Sequence, residues 1–276
     1  MNNKEIAMES EWKRVNSSGR CPVCNKSDWC LVAVNGSAAI CPRQEKGSVA
    51  YIEGSGWLHK FGDDDSPKPR LRVAPKPLPE HNQVLADIQE KLRRQAAPDL
   101  LKCLSRDLGV SEKSLDLLSI GYSATKDAFS FPMTRHRQRF LGIRYRTTDG
   151  SKFAQKGSKQ GLFIPSSFTR AKAVVVCEGP TDTAAMLDLG FNAIGRASCN
   201  SGHRLVEELT DGIPMAILAD NDGPGEFGAK QLNRKMPHAV IIQPGKYKDA
   251  REWVRNGACR GDVMERISEA RNARKR

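Results

Sequence analysis

The sequence predicts an α/β protein whose C-terminal part is a mainly parallel sheet flanked by helices. From Ala173 onward, short apolar runs typical of buried strands alternate with segments of helical character. The N-terminal segment, up to about Phe61, is rich in Cys, Gly and Ser and contains short β-like runs. An acidic and then Pro-rich stretch follows it, which is typical of a linker. We therefore expect a small β-rich module joined to a larger region that holds the α/β sheet.

These changes in composition divide the chain into four segments. We expect a cysteine-rich module over residues 1–62, a linker over 63–82, a helical and basic region over 83–171, and an α/β domain with a basic C-terminal helix over 172–276. A chain of 276 residues is long enough for one sizeable domain and a small module.

The charge and the hydrophobicity of the chain indicate which kinds of partner it can bind. A formal net charge of +12 favours a polyanion, and nucleic acid is the leading candidate. No stretch approaches the ~18 apolar residues of a membrane span, and residues 1–12 contain acids and no apolar core of an export signal. We expect a cytoplasmic protein without a membrane partner, in which eight cysteines indicate a metal site rather than a disulfide framework.

The first module contains cysteines at a spacing typical of a metal site. They are Cys21, Cys24, Cys30 and Cys41. Asn35-Gly36 is the strongest two-residue hairpin signal, and with this turn Val34 would pair with Ser37 and Cys30 would face Cys41. Cross-strand partners are close enough for both thiolates to bind one tetrahedral Zn²⁺. We predict a structural Zn²⁺, because four thiolates leave no open coordination position.

Other interpretations of this module stay open. Cys30 could be a core residue or form a cross-strand disulfide, although cytosolic redox conditions disfavour the disulfide. His59 could replace one cysteine as a ligand, although a structural or surface histidine is the more common case.

The region after the linker is expected to form three helices and a small antiparallel sheet. The helices are expected near 84–92, over 100–108 and over 111–118. The first is amphipathic, since Val84, Ile88 and Leu92 recur every four residues, and Ser111 is the predicted N-cap of the third. Residues 128–164 alternate apolar and polar positions between turn signals, which predicts the sheet.

Basic residues are concentrated within this predicted sheet. Strand alternation places Arg144 and Arg146 on one face, a suitable track for a single strand or for triphosphates, although a solvated basic face is the usual meaning of a charge run. The residues predicted to bind nucleic acid or nucleotide are Arg144, Arg146, Lys152, Lys156, Lys230 and Lys248. The last two could equally be surface lysines.

The final domain is expected to alternate strands and helices in order. The predicted strands are 173–177, 192–194, 215–219 and 239–242, and the predicted helices extend to Leu189, lie near 203–209 and 226–236, and end with the basic helix. Such alternation is typical of a parallel sheet with helical crossovers.

Acidic residues follow two of these strands. Glu178 comes directly after the first strand, Asp182 four residues later, and Asp220 and Asp222 follow the third. Ligands of open α/β sheets bind at the carboxyl ends of the strands, so we expect these carboxylates to converge. Clustered carboxylates repel one another unless a cation neutralises them, and hard oxygen ligands favour Mg²⁺ or Mn²⁺. Asp182 could serve only as a cap.

Over about residues 172–256, the pattern Glu-Gly-x-x-Asp after one strand and Asp-x-Asp-Gly after another resembles the Toprim domain of primases, topoisomerases, some nucleases and some recombination mediators. The resemblance implies that Glu178 is an acid/base residue near the metal, that Asp220 and Asp222 are metal ligands, and that Asp182 is a supporting acid.

A later stretch also resembles primases, with one departure. Asp249 matches the first acid of a Lys-Asp-Pro-Asp-Glu stretch, but Arg251 stands where many members have the second acid. A second metal position is therefore in doubt.

The order of the segments resembles DNA primases of the bacterial and phage type more than the other Toprim families. Topoisomerases need a nucleophilic tyrosine on a separate domain, and the nuclease families couple Toprim to an ATPase whose phosphate-binding motif does not occur here. In recombination mediators the zinc finger lies next to Toprim, whereas in this chain the linker and the helical and basic region lie between the cysteines and the α/β domain. The stretches that resemble the primase lead-in and its basic subdomain are 108–115, 120–122, 131–133, 141–146 and 151–155.

The resemblance implies that the protein synthesises short RNA primers on a single-stranded DNA template from ribonucleoside triphosphates, with Mg²⁺ or Mn²⁺. It also implies a replicative helicase acting in trans, and we expect a phage or mobile-element origin. The alternatives are a non-catalytic Toprim module for DNA binding or recombination mediation, and a Toprim nuclease.

Overall fold

The computed structural model describes residues 12–61, 79–136 and 139–274. The chain forms two compact units, Met1–Pro77 and Leu78–Arg276, and the boundary between them falls within the predicted linker, 63–82. Most of that linker and nearly all of the opening segment lie outside the described residues. Within the described ranges, no helix is long and apolar enough to cross a bilayer.

The first unit contains an antiparallel sheet of five strands in the order β1-β2-β3-β5-β4. The strands are β1 (Trp12–Arg14), β2 (Leu31–Ala33), β3 (Ala38–Cys41), β4 (Ala50–Ile52) and β5 (Gly56–Lys60). Its small apolar core is formed by Ala33, Ala38, Ile40 and Leu58. His59 is buried, and its Nε2 lies 2.9 Å from the carbonyl oxygen of Gln44, which gives this histidine a structural role.

The hairpin between β2 and β3 has the predicted register but a longer loop. Leu31 pairs with Ile40 and Val32 with Ala39, so the continuation of this register places Cys30 opposite Cys41. The strands stop at Ala33 and resume at Ala38, and Val34 does not pair with Ser37 in a strand. Gly36 donates its N–H to the carbonyl of Ala33 and takes a φ of +75°, so only one residue of the turn needs the left-handed region.

Three helices open the second unit. They are α1 (Gln83–Gln95), α2 (Pro98–Leu108) and α3 (Glu112–Leu117). Ser111 caps α3 as predicted, since its side chain accepts a hydrogen bond from the N–H of Ser114. The buried face of α1 differs from the prediction, because Leu85, Gln89 and Leu92 are buried while Val84 is 69% exposed. The four-residue spacing identified the helix but included a residue from its outer face.

The second unit is built on one mixed sheet of nine strands. The strands are β6 (Gly121–Ser123), β7 (Ala128–Arg135), β8 (Arg139–Thr147), β9 (Lys152–Ala154), β10 (Leu162–Phe163), β11 (Val174–Cys177), β12 (Ala193–Arg196), β13 (Met215–Leu218) and β14 (Val240–Ile242). Their order is β14-β13-β11-β12-β10-β7-β8-β9, with β6 paired to β7.

Strand β10 joins the two halves of this sheet, because it pairs antiparallel with both β7 and β12. The antiparallel strands β6 to β9 and the parallel strands β11 to β14 therefore belong to one sheet rather than two. The division of this unit into 83–171 and 172–276 remains a prediction about subdomains that share a continuous sheet.

Helices cover both faces of the parallel strands. They are α4 (Pro180–Asp188), α5 (His203–Thr210), α6 (Gly223–Lys235), α7 (Ala250–Arg255) and α8 (Arg260–Ala273). Val174 and Val176 pack in one core with α5 and α6, whereas Val175 and Cys177 pack in another with α4, α7 and α8. Burial on both faces explains why β11 is apolar at every position.

Candidate functional site

The predicted acidic residues lie at the carboxyl ends of two neighbouring parallel strands. Strands β11 and β13 pair directly, with Val176 opposite Ile217, so their ends lie side by side. Glu178 follows β11, and Asp220 follows β13 after one residue. This edge is where open α/β sheets bind their ligands.

These residues line one pocket of about 320 Å³. Its acidic lining residues are Glu178, Asp182, Asp220, Asp222 and Asp249, and its basic lining residues are Arg144, Arg146, Lys152, Lys248 and Arg251. The pocket therefore combines the four predicted acids with four of the six predicted basic residues. Asp249 and Arg251, which the sequence placed in the primase-like stretch, also reach it.

Burial and mutual repulsion act on the acids of the pocket. Burial, followed by the charges of Asp182 and Glu178, raises the pKa of Asp220 to about 8. Burial and then the charge of Asp249 raise the pKa of Asp182 to about 6, although Asp182 accepts a hydrogen bond from the backbone N–H of Arg251 at 3.2 Å. Burial also raises the pKa of Glu178. The acids of the pocket thus repel one another in a partly buried setting, and a bound cation would relieve that repulsion.

Glu178 lies beside a buried arginine that sequence reasoning did not select. Its Oε1 atom is buried without a hydrogen-bond partner among the described residues, and the Nη2 atom of Arg196 lies 4.0 Å from it. Arg196 is fully buried, and its Nη1 donates to the carbonyl oxygen of Cys199 at 2.6 Å. The sequence did contain a signal for this residue, because Arg196 is a charged residue at the end of the otherwise apolar strand β12.

Two aspartates of the pocket also cap helices. Asp222 accepts a hydrogen bond at 2.7 Å from the N–H of Gly225 at the start of α6. Asp249 accepts one at 2.7 Å from the N–H of Glu252 at the start of α7. Because each cap fixes one carboxylate oxygen, the second oxygen of each residue has a defined position at the edge of the pocket.

Three basic residues of the pocket come from β8 and β9. Arg144 and Arg146 share one face of β8, as their alternation predicted, and Arg146 pairs across the strands with Lys152. Burial lowers the pKa of each of these three side chains, and the charge of Arg146 lowers the pKa of Lys152 further. Cations held this close together are suited to a polyanion such as a triphosphate or a nucleic-acid backbone.

The remaining two predicted basic residues lie outside the pocket. Lys230 is exposed on α6, and its Nζ atom lies 3.6 Å from the Oε2 atom of Glu226. Lys156 is exposed after β9 and does not line the pocket.

The carboxylates surround the pocket without forming a tight cluster. Among the described residues, the four cysteines are the only group of three or more His, Cys, Asp and Glu residues whose donor atoms lie within 4.8 Å of one another. Mg²⁺ usually keeps several water ligands and takes only one or two protein carboxylates directly. The spread of the acids therefore fits a hydrated divalent ion better than a site closed by protein ligands.

The cysteine cluster in the first unit has the dimensions of a tetrahedral metal site. Sγ of Cys30 lies 3.6 Å from that of Cys24 and 3.9 Å from that of Cys41. Two sulfurs bound to one tetrahedral ion at about 2.3 Å each lie roughly 3.8 Å apart, so the four thiols fit structural Zn²⁺. Arg43 donates toward the sulfur of Cys30 at 3.5 Å and forms an ion pair with Asp28 at 2.9 Å.

The chain resembles known proteins in its fold. No protein-family model and no curated protein sequence matches the chain. Among solved structures, the E. coli primase catalytic core matches with a TM-score of 0.55 and 13% identity, covering 68% of this chain and 79% of that one. The Aquifex aeolicus primase, with its zinc-binding and RNA polymerase domains, matches with a TM-score of 0.54 and 12% identity over 97% of this chain and 82% of that one.

A third solved structure, a DnaG primase catalytic domain bound to single-stranded DNA, matches with a TM-score of 0.54 and 14% identity over 68% of this chain and 78% of that chain. The matches confirm the predicted fold class, with an N-terminal antiparallel sheet that carries the cysteine cluster and a mixed sheet flanked by helices. The chain has the fold of DNA primases.

Proposed function

We propose that the protein is a DNA primase that synthesises short RNA primers on single-stranded DNA by divalent-metal-dependent nucleotidyl transfer. The observation that carries the proposal is the pocket, in which carboxylates from the ends of β11 and β13 face the basic side chains of β8 and β9. Acids that can hold a metal ion and cations that can hold phosphates are the two parts that phosphoryl transfer requires.

In the proposed reaction, the 3′-hydroxyl oxygen of one ribonucleotide forms a bond to the α-phosphorus of the next, and the bond from that phosphorus to pyrophosphate breaks. Glu178 accepts the proton of the hydroxyl group. Arg144, Arg146, Lys152 and Lys248 hold the phosphate oxygens and stabilise the charge that develops on them. Asp182 supports the site as a further acid.

The proposed metal ligands are Glu178, Asp220 and Asp222, which would hold the ion directly or through its bound water. Their hard oxygen atoms suit Mg²⁺ or Mn²⁺, and the buried Oε1 atom of Glu178 without a hydrogen-bond partner among the described residues is a free acceptor for such an ion or its water. When bound, the ion would lower the pKa of the attacking hydroxyl group and neutralise charge on the leaving pyrophosphate.

The cysteine module would help to select the initiation site on the template, with its Zn²⁺ serving to fold the module. The proposed partners are a single-stranded DNA template, ribonucleoside triphosphates and a replicative helicase in trans. One solved structure with a TM-score of 0.50 and 16% identity, over 60% of this chain and 90% of that one, contains primase domains of the T7 gp4 protein bound to an RNA/DNA hybrid.

Primer synthesis is the direct test. The zinc-loaded protein is incubated with single-stranded DNA, labelled ribonucleoside triphosphates and Mg²⁺ or Mn²⁺, and the products are separated by size. Short oligoribonucleotides are expected from the wild type and should disappear in Glu178→Ala and Asp220→Ala. Asp211→Asn, an exposed acid outside the pocket, is the matched control and should keep full activity.

Two results would contradict the proposal. If no oligoribonucleotides form over a range of templates and both metals while DNA binding persists, the protein is a binding module. If the template is degraded in the absence of nucleotides, it is a nuclease.

A further inference from the structure

The carboxylates of the pocket differ in the cations that accompany them. Asp182 and Asp249 lie next to Arg251, whose backbone N–H donates to Asp182 at 3.2 Å and whose Nη2 atom lies 3.8 Å from Oδ2 of Asp249. The charges of Arg146 and Lys152 also act on this part of the pocket. Three basic side chains thus accompany two carboxylates here.

The other acids have much less compensation. Glu178 and Asp220 lie near one buried guanidinium, that of Arg196, which is 4.0 Å from Glu178 and makes no direct hydrogen bond to it. The charge of Asp222 acts on Glu178 as well. Two nitrogens of Arg196, Nε and Nη2, are buried without hydrogen-bond partners among the described residues, as is Oε1 of Glu178. Taken together, the three carboxylates of Glu178, Asp220 and Asp222 and this one fixed cation leave a net negative charge that matches a single divalent ion.

We propose that the side chain of Arg251 occupies the position that a second divalent ion would need beside Asp182 and Asp249. The pocket therefore binds a single divalent ion, at Glu178, Asp220 and Asp222. This inference rests on the proposed function for the identity of the metal ligands. A divalent ion beside Asp182 and Asp249 would lie among three positive side chains, and the repulsion in a partly buried pocket opposes its binding.

The position of Arg251 supports this assignment. The residue is the second of α7, two positions after the capping Asp249, and α7 packs against α4, which carries Asp182. The guanidinium is therefore held near both carboxylates by a short, capped helix rather than by a flexible loop. An uncharged side chain at the same position would leave Asp182 and Asp249 with one charged partner fewer and would open their oxygens to an ion.

Mn²⁺ stoichiometry tests the inference directly. Zinc-loaded full-length protein is titrated with Mn²⁺, and free Mn²⁺ is followed by electron paramagnetic resonance. One Mn²⁺ per chain is expected in the wild type and in Arg251→Lys, which keeps the charge. A second Mn²⁺ is expected in Arg251→Gln. Arg255→Gln, an arginine of the same helix outside the pocket, is the matched control and should bind one.

The outcomes separate this inference from the proposed function. Two Mn²⁺ ions of similar affinity in the wild type, or a single ion in a folded Arg251→Gln variant, would overturn the role of Arg251 and leave primer synthesis untouched. If the wild type binds no Mn²⁺, both the role of Arg251 and the proposed metal-dependent reaction are overturned. One bound Mn²⁺ without primer synthesis would support the inference and remove only the proposed reaction. Circular dichroism of each variant confirms that it is folded.

Discussion

Burial and neighbouring carboxylates oppose the ionised form of Asp220. Its pKa is raised to about 8 because the side chain is largely removed from water and lies near Asp182 and Glu178. A group of this kind binds a cation well when one is supplied and destabilises the fold when none is present. Asp220 is therefore the residue at which the proposed metal chemistry and the stability of the protein are most directly coupled.

The pH dependence of stability should show this coupling. The folded state binds the proton of Asp220 more tightly than the unfolded chain, so stability from this group is full below about pH 4 and is lost as the pH rises toward 8. Without added Mg²⁺, we expect Asp220→Asn to be more stable than the wild type at about pH 8.5, by roughly 1–3 kcal/mol after allowance for partial solvent exposure. The difference should shrink toward pH 5.

Urea unfolding of the zinc-loaded protein between pH 5 and 9 measures this difference, with Asp211→Asn as the control for loss of one exposed acid. Saturating Mg²⁺ should stabilise the wild type but not Asp220→Asn, because the ion favours the ionised carboxylate. A stability difference that does not change with pH would contradict the expected role of burial.

Single residues also show where sequence reasoning reached its limit. Glu178, Asp182, Asp220 and Asp222 could be predicted to meet because strand ends in a parallel sheet lie along one edge. Arg196 could not be assigned to the site in the same way, since its contact with Glu178 depends on how the loop at Cys199 and helix α6 close over it. Those contacts are tertiary and leave no periodic pattern.

At the scale of elements, the sequence predicted most helices and strands of the parallel half, while short elements and pairings between distant segments were harder. Helix α7 has only six residues, too few for a periodic pattern, and was not predicted, whereas α3 of the same length was predicted with Ser111 as its N-cap. Strand β10 has two residues, yet it joins the antiparallel and parallel strands into one sheet. Its pairing with β7 and β12 links residues far apart in the chain, which local propensity does not encode.

Helix α6 shows how an element shapes the site through its glycines. A Cβ atom on Gly225 would lie 2.8 Å from Oε1 of Glu178 and 2.7 Å from the carbonyl oxygen of Asp220, whereas one on Gly223 would meet no atom within 4 Å. The first turn of the helix thus approaches both acids because position 225 has no side chain.

Alanine substitutions in this helix should therefore have opposite consequences. Gly225→Ala must displace Glu178 or the backbone at Asp220, so we expect a loss of about 1–3 kcal/mol of stability and a strong decrease in primer synthesis. Gly223→Ala should keep wild-type activity and gain a small amount of stability from its higher helix propensity. Thermal unfolding together with the primer assay distinguishes them, and equal behaviour of the two variants would show that the close approach has no functional importance.

For the whole molecule, the net charge of +12 would attract nucleic acid to any basic surface. The structure distinguishes general attraction from local contact, because Arg144 and Arg146 face the pocket while Lys156 and Lys230 are exposed outside it. All four residues were predicted from sequence to contact nucleic acid or nucleotide. Removal of two charges from either pair changes the net charge equally, so any difference between the pairs comes from position.

We expect the Arg144→Gln/Arg146→Gln variant to bind single-stranded DNA more weakly than the Lys156→Gln/Lys230→Gln variant. Each phosphate contact that is lost should make the slope of log K against log salt concentration shallower by about 0.7, because fewer counterions are released. The slope should therefore decrease in the arginine variant and stay near that of the wild type in the lysine variant. Fluorescence anisotropy with a labelled oligonucleotide over a series of salt concentrations measures both slopes. An equal decrease of the slope in the two variants would mean that DNA binding depends on the overall charge of the protein. It would contradict a specific contact between the template and the arginines of the pocket.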